Sequence, residues 1–467
     1  MNAPLRSRSE NERSPRRLIF VNRYYRPDLS ATSQMLTDLA ESLGARGYAV
    51  EVVCSRQLYD APGARLPAEA VLDGVRVHRV ATTRFGRVRL IGRAIDYVSF
   101  YVAASWAVWR RLGRGDTLIV KTDPPMFASL AAPLVRLRGA VLINWLQDVF
   151  PEVASRLGAN PLPGWLDALL RRWRNATLCA AAANVVIGER MREHLISCGV
   201  SAAQIAVIDN WADDRIEPRA AAASTLRRSR GLAGRFVIGY SGNLGRAHEI
   251  DTLIGAAKRL GDDASFAFLM IGGGAKMSAL RTEVACGALN GFVFLPYQPR
   301  EELADSLAAA DVHLVSLLPD LEGLIVPSKL FGILAAGRPC VFIGDSRGEV
   351  ARILGQSACG FVVQPGDAAG LVAAIRTLRD DPEECRAMGG RARAAYLERY
   401  SRDAAVLRWL RVLDSDAFAG SAPSGLEHLQ IDEQFVGGAH SAIVEAGVSI
   451  EKSPAHEVQV HEHRPGA

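Results

Sequence analysis

Between Glu322 and Pro339 the chain reads EGLIVPSKLFGILAAGRP, and this stretch holds the residues best suited to chemistry. An acid, a glycine, a proline-led helix and a Gly-Arg-Pro exit follow one another without a gap. Proline suits a first helical turn, because that position needs no amide donor and its fixed φ already matches the helix. The spacing predicts a helix opening near 326–328, with backbone amides and the positive end of its dipole directed at whatever lies ahead. Together with the ammonium of Lys329 they would form an anion site, most naturally for phosphate. Glu322 cannot favour the phosphate itself, but its carboxylate suits hydroxyls on a group attached to that phosphate. A phosphate beside a polyol describes a nucleotide-sugar. An ordinary βα turn with a capping acid and a solvated lysine would show the same residues. Lysine usage tilts the balance: Lys329 is one of five lysines in 467 residues, although biased codon usage would also favour arginine.

Such a loop needs a strand to hold it. RLIFVN (17–22) is a short apolar run ending at a loop, followed by a helical pattern from Ser30 to Arg46 and a second strand, AVEVVCS (49–55). Further strands are expected at 75–80, 117–121, 140–146, 183–188 and 204–209, alternating with helices. Strand and helix repeated with short connections imply a parallel sheet covered on both faces. The pattern restarts with RFVIGYSGNLG, FAFLMIGGG, FVFLPY, DVHLVSLL, PCVFIGD and CGFVVQP. The expected organisation is a disordered N-terminus (1–15), a first domain (16–210), a linker (211–235), a second domain (236–400), a helix crossing back to the first domain (401–414) and a disordered acidic tail (415–467). Two doubly wound sheets facing one another place a cleft at the carboxyl ends of their strands, where ligands bind. Every candidate residue lies just after an expected strand, although polar residues collect in such loops in any case.

Composition narrows the class. A chain of this length, 49% hydrophobic and 22% charged, is globular and too long for one core. No run of 18 apolar residues occurs, so no membrane-spanning helix is expected. The basic N-terminus lacks the apolar core of a signal peptide, which predicts a cytoplasmic protein. Seven scattered cysteines without a C-x-x-C pair fit reduced thiols, mostly in the core, and give no reason to invoke zinc. The tail after Asp414 carries eight acids against Lys452 and Arg464. The 84–114 region is the opposite, with seven arginines against Asp96. Within it YVSFYVAASWAVW is uncharged, too short to span a bilayer but suited to a helix lying at an anionic membrane surface. A buried helix with solvated arginines at its ends fits the same letters, and partial burial with a basic rim toward the membrane is the favoured expectation.

These motifs taken together resemble the family 4 glycosyltransferases of the GT-B fold, in the bacterial branch that builds capsule, O-antigen or colanic-acid-like polysaccharides. The resemblance lies in YYRPDLSATSQ, the TDPP turn, WLQDVFPE, YSGNLGRAHEIDTLI, the GGG loop and EGLIVPSKLFGILAAGRP, in family order across residues 16–413. It implies two Rossmann-like domains, with the donor on the C-terminal one. It also implies a hexosyltransferase activity that retains anomeric configuration and needs no obligatory cofactor or metal. By the same resemblance Glu322 contacts the donor sugar, with support from the amides of Gly323 and Leu324. Ser328, Lys329 and Arg246 of the loop Gly242, Asn243, Gly245 hold the diphosphate, and Gly272, Gly273 and Gly274 with Pro296 and Tyr297 border the base. Relatives commonly carry a second glutamate where this helix has Gly332, which leaves ribose recognition to other groups.

Cleavage of a glycosyl phosphate pushes negative charge onto the departing diphosphate, so fixed positive charge from Arg246 and Lys329 is the expected main contribution. Arginine suits two-pronged phosphate contact, whereas a solvated loop arginine is the plain alternative. The acceptor hydroxyl must also lose a proton, and Asp148 is the carboxylate best placed to take it, with Glu152 a lesser candidate. An aspartate before a helix also serves as an N-cap. Acceptor contacts are expected from Ser30, Ala31, Thr32, Asp123 and Pro124, with Tyr24, Tyr25 and Arg26 either lining the same opening or packing the surface. The expected partners are a nucleotide-sugar donor, a lipid-linked acceptor and the inner face of the cytoplasmic membrane, with no nucleic acid. Two other classes compete: a GT-B-fold nucleotide-sugar epimerase and a catalytically silent binding scaffold. A nicotinamide dehydrogenase is disfavoured, since no G-x-G-x-x-G follows the first strand.

Overall fold

Strands buried on both faces read as continuous apolar runs, and RLIFV, TLIVK and VLINW pair side by side at the centre of the first sheet. The computed structural model describes residues 17–58, 65–85, 90–158, 162–287 and 289–415. The N-terminal segment expected at 1–15 and the acidic tail after Ser415 lie outside the described residues.

The first sheet comprises β1 (Arg17–Val21), β2 (Ala49–Ser55), β3 (Glu69–Leu72), β4 (Val75–Val80), β5 (Thr117–Lys121), β6 (Val141–Trp145), β7 (Ala183–Val186) and β8 (Ile205–Val207), in the order β3-β4-β2-β1-β5-β6-β7-β8. The second comprises β9 (Phe236–Asn243), β10 (Phe266–Gly273), β11 (Phe292–Leu295), β12 (Val312–Ser316), β13 (Cys340–Ile343) and β14 (Gly360–Val363), in the order β11-β10-β9-β12-β13-β14. All pairings are parallel except β3 with β4. That antiparallel pair closes through Asp73 and Gly74, both at positive φ, with Leu72 opposite Val75. The sequence reading passed over this Asp-Gly hairpin signal.

Each sheet reverses its strand order once, between β1 and β5 and between β9 and β12. Open parallel sheets bind ligands in the crevice outside such reversals. The loops that leave these strands carry Ser30–Thr32, the TDPP turn, GNLGRAH and EGLIVPSK. Topology thus collects the sequence candidates at the reversal points of two sheets.

The chain crosses between the sheets twice, at 208–235 and again near 400. Asp209, almost fully buried, accepts from Arg399 at 3.1 Å and Arg408 at 3.3 Å, while Tyr396 donates to Asp214 at 3.1 Å and Arg402 pairs with it at 2.8 Å. The last helix, Arg402–Asp414, lies on the first sheet, where Trp409 meets Trp145 edge-on at 5.0 Å and Trp145 stacks on Trp211 at 6.0 Å. Trp409 is fully buried, so Trp409→Ala should destabilise the first domain by about 3–5 kcal/mol through cavity formation. A lowered midpoint in urea unfolding would show it, and an unchanged midpoint would contradict this packing.

Candidate active site

The C-terminal end of β9 and the opening of the Lys329–Ala335 helix meet at one ammonium group. Lys329 Nζ donates to Tyr240 Oη at 2.5 Å and to the Asn243 carbonyl at 3.3 Å, and lies 3.0 Å from His248 Nε2. His248 Nδ1 lies 2.6 Å from the Ser316 carbonyl. A carbonyl can only accept, so Nδ1 carries the hydrogen and Nε2 presents its lone pair to the lysine. Burial, with the neighbouring lysine, lowers His248 to about 3 and keeps the imidazole neutral. Burial also lowers Lys329 to about 7. Among the described residues no carboxylate pairs with this ammonium.

The same loop holds Arg246 exposed to solvent, two residues before His248. Gly242 adopts φ +126°, a conformation that favours glycine, with Lys329 Cε at ordinary contact distance beside it. Gly272 and Gly273 pair in register with Gly242 and Asn243 across β9 and β10. Tyr297, 60% exposed, lies against this glycine ledge, its ring 3.2 Å from where a Cβ on either Gly272 or Gly273 would stand.

The helix opens one residue past the expected range, with Ser328 at its cap position. Its regular turns begin at Lys329 rather than 326–328, and it has seven residues. The amides of Leu330 and Phe331 are taken by the Pro327 and Ser328 carbonyls, each at 3.2 Å. Those two amides are thereby committed, and the Lys329 ammonium adds positive charge at the helix opening. A Cβ added at Gly332 would meet Leu307 and Ile216 at ordinary contact distance, an apolar surrounding.

Glu322 is held from behind. Its Oε2 accepts the Glu349 N–H at 3.1 Å, and its Oε1 is buried without a partner. Burial, partly offset by that N–H, raises the carboxyl to about 7. Glu349, itself 1% exposed, accepts the Arg190 N–H from the first domain at 3.0 Å and pairs with Arg352. Gly323, at φ +73°, sits where a Cβ would come 3.0 Å from the Arg190 carbonyl, so only glycine fits without strain. The Leu324 amide is engaged by Leu321 at 3.0 Å, which corrects the expectation that it supports a sugar. The Leu324 carbonyl accepts the Val149 N–H at 2.9 Å, and Asp148 and Ile325 form an antiparallel bridge. WLQDVFPE and EGLIVPSK thus lie side by side across the domain boundary.

Asp148 is not a helix cap. The following helix, Glu152–Arg156, has Pro151 at its cap position, and the Asp148 N–H faces Thr122 Oγ1 at 3.4 Å. Burial first, then the charge of Asp123, raises Asp148 to about 6, while Lys121 pulls it back. Glu152 is occupied by a buried ion pair with Arg174, which removes it as a base. Its oxygen lies within 4.8 Å of potential ligand atoms of His194 and Cys198, but the arginine neutralises the carboxylate a metal would need.

On the acceptor side Ser30 N–H donates to Asp28 at 2.9 Å, and Ala31 opens the Ala31–Gly44 helix. The Asp123 carbonyl accepts the Arg23 N–H at 2.6 Å, and Pro124 follows through a cis peptide. Tyr24 and Tyr25 are buried, and Arg26 pairs with Glu41 at 2.8 Å and with Asp73. These three pack the domain rather than line its opening. Lys121, 1% exposed, donates to the Thr32 carbonyl at 2.9 Å and stands 3.9 Å over the Trp145 ring. Burial lowers it to about 7. The sequence reading missed Lys121, Tyr240, His248 and Glu349; the rarity of lysine that marked Lys329 applies equally to Lys121.

Two doubly wound domains, one bringing an ammonium and an orphaned carboxylate oxygen to its strand ends and the other pairing its Asp148 segment with the loop that carries that carboxylate, fit a glycosyltransferase of the GT-B fold. The chain matches the glycosyl transferase 4-like domain over residues 30–211 and the glycosyl transferases group 1 domain over residues 235–381. It belongs to the family 4 glycosyltransferases. WbjE of Pseudomonas aeruginosa, named as a probable glycosyltransferase, is 27% identical over 325 residues, covering 68% of this chain and 79% of that protein. WcaI of Escherichia coli strain K12, named for colanic acid biosynthesis, is 25% identical over 369 residues, covering 75% and 89%. Among solved structures, Anabaena Alr3699/HepE in complex with UDP-glucose superposes with a TM-score of 0.62 at 16% identity, covering 85% of this chain and 99% of that one. No helix among the described residues is long and apolar enough to cross a membrane.

With five lysines in the chain, selective 13C labelling of lysine gives a spectrum simple enough to test the two buried ones. Two resonances should titrate near pH 7, one vanishing in Lys329→Arg and one in Lys121→Arg. No resonance titrating near pH 7 would contradict the burial described.

Proposed function

We propose that the chain moves a sugar, with retention of configuration, from a nucleotide-diphosphate sugar to a lipid-linked saccharide during cell-surface polysaccharide assembly. The observation that carries this is the half-buried Lys329 ammonium with no acidic partner among the described residues. A desolvated cation left unpaired is costly, and an anionic ligand at that point relieves the cost. The donor diphosphate meets Lys329 and the exposed Arg246, replacing the long contact to the Asn243 carbonyl. Glu322 Oε1, buried without a partner, accepts from a sugar hydroxyl, and Gly323 stands beside it. Tyr297 and the Gly272–Gly273 ledge receive the base, and Ser328 borders the phosphates. The complex of HepE with UDP-glucose supports a donor of this class, and the names of WbjE and WcaI support the branch.

In the reaction the acceptor oxygen bonds to the anomeric carbon as the bond from that carbon to the phosphate oxygen breaks. The acceptor proton passes to Asp148 or to the departing phosphate on the same face. Ser30 to Thr32, Asp123 and Pro124 position the acceptor, with Lys121 fixing the Thr32 carbonyl. Positive charge at the leaving group comes from side chains in this reading, and no divalent cation takes part. The protein works at the inner face of the cytoplasmic membrane, resting on the 84–114 region. Within that region the Leu90–Arg111 helix exposes Arg110 but turns Arg111 inward, 3.0 Å from His78.

Purified protein given a panel of nucleotide sugars and membrane lipid extract should release nucleoside diphosphate in a lipid-dependent and chelator-insensitive manner. Lys329→Ala and Glu322→Ala should each lower kcat/KM by about 100-fold or more, the scale of a lost charge-stabilising group. Near-normal rates in both would remove the donor site described, and nucleotide binding without turnover would favour a scaffold.

The pH profile tests Asp148 separately. Activity should rise as pH passes upward through about 6, where Asp148 loses its proton. It should fall above about 7, where Lys329 loses its charge. Asp148→Asn should abolish the acid limb and leave the alkaline one; an unchanged acid limb assigns the proton to the departing phosphate.

A further inference from the structure

The Gly164–Ala180 helix exposes Trp165 (70%), Leu169 (55%) and Trp173 (40%) at intervals of four residues, which aligns them on one face. Its opposite face is buried through Arg174, Thr177 and Leu178, and Thr177 hydrogen-bonds Ser129 of the Phe127–Arg138 helix at 3.1 Å. That middle helix exposes Leu137 and packs on its other side against the Leu90–Arg111 helix. The latter exposes Val98, Val102 and Trp106, while Phe100, Ala104 and Val108 fill the core. Three neighbouring helices therefore carry large apolar side chains outward.

We propose that Trp165, Leu169 and Trp173 form a second membrane-inserting edge, so that the first domain rests on an anionic bilayer through a layer of three helices rather than through the 84–114 region alone. The inference rests on the membrane-side reading above and extends it to a segment remote in sequence. Charge selects the occupant. The exposed charged side chains described on these helices are Arg110, Arg136 and Arg172. The acids are withheld: Asp96 is 3% exposed, Asp167 is held by Arg171 at 2.6 Å, and the middle helix has none. A second copy of this face would set arginines against arginines, whereas anionic headgroups neutralise them. Indole rings suit the headgroup boundary, with an apolar body for the acyl region and an N–H for the wet side. The Phe127–Arg138 helix starts directly after the Asp123–Pro124 turn, so a bilayer against this layer also lies near the acceptor side of the crevice.

The test uses the full chain and vesicles of phosphatidylglycerol and phosphatidylcholine, some with brominated acyl chains. Wild-type tryptophan fluorescence should be quenched by the brominated vesicles, and Trp165→Phe with Trp173→Phe should remove much of that quenching while sedimentation with vesicles persists. Trp165→Glu with Trp173→Glu should lower the vesicle-bound to free ratio at least tenfold with an unchanged thermal midpoint, since both side chains are solvent-facing. If the glutamate pair sediments like wild type while Arg110→Glu with Arg114→Glu is released, the second edge is overturned and the 84–114 contact stands. Release by neither pair overturns both. A vesicle-free dimer that the glutamate pair disrupts would assign the face to self-association and overturn the proposal.

Discussion

The two domains are locked at their strand ends by backbone contact: the Leu324 carbonyl takes the Val149 N–H, and Ile325 pairs with Asp148. Everything chemical is arranged around this seam. It brings the loop that carries the candidate base of one domain beside the loop that carries the candidate sugar-binding acid of the other. Glu349 reinforces the seam from behind, taking an amide from Arg190 and giving one to Glu322. The orientation of Glu322 therefore depends on the first domain being in place.

Burial dominates the electrostatics of the site. Glu322, Asp148, Lys329 and Lys121 are all displaced toward neutrality chiefly by loss of water. Such groups are held close to the point at which either protonation state is accessible. A charged ligand entering beside them shifts that balance more than it would at a solvated surface, because the local dielectric screens little. The neutral His248, fixed in one tautomer by Ser316, adds a lone pair beneath the lysine without adding charge.

Much of this was legible in the letters. Thirteen of the fourteen strands were visible, most as continuous apolar runs and β4 as an alternating one, and the exception, β3, is an edge strand with alternating exposure. The loops that gather at the reversal points were found because glycine, proline and acid cluster there. What escaped depends on the third dimension. Nothing in GDSRGEV marks Glu349 as the prop behind Glu322, and nothing in AHEID shows that His248 faces a lysine 81 positions away. Pro327 signals the helix start in the letters, and the regular turns follow two residues later at Lys329.

The paired crossings near Asp209–Asp214 and Arg399–Arg402 have a mechanical implication. Two covalent links tied side by side by ion pairs resist twisting and sliding far better than one, much as two pins on a door edge leave only a swing. Any parting of the domains to admit sugar or shed nucleotide is thereby channelled into rotation about that edge, with the glycine ledge and the tryptophan-bearing first domain as the two leaves.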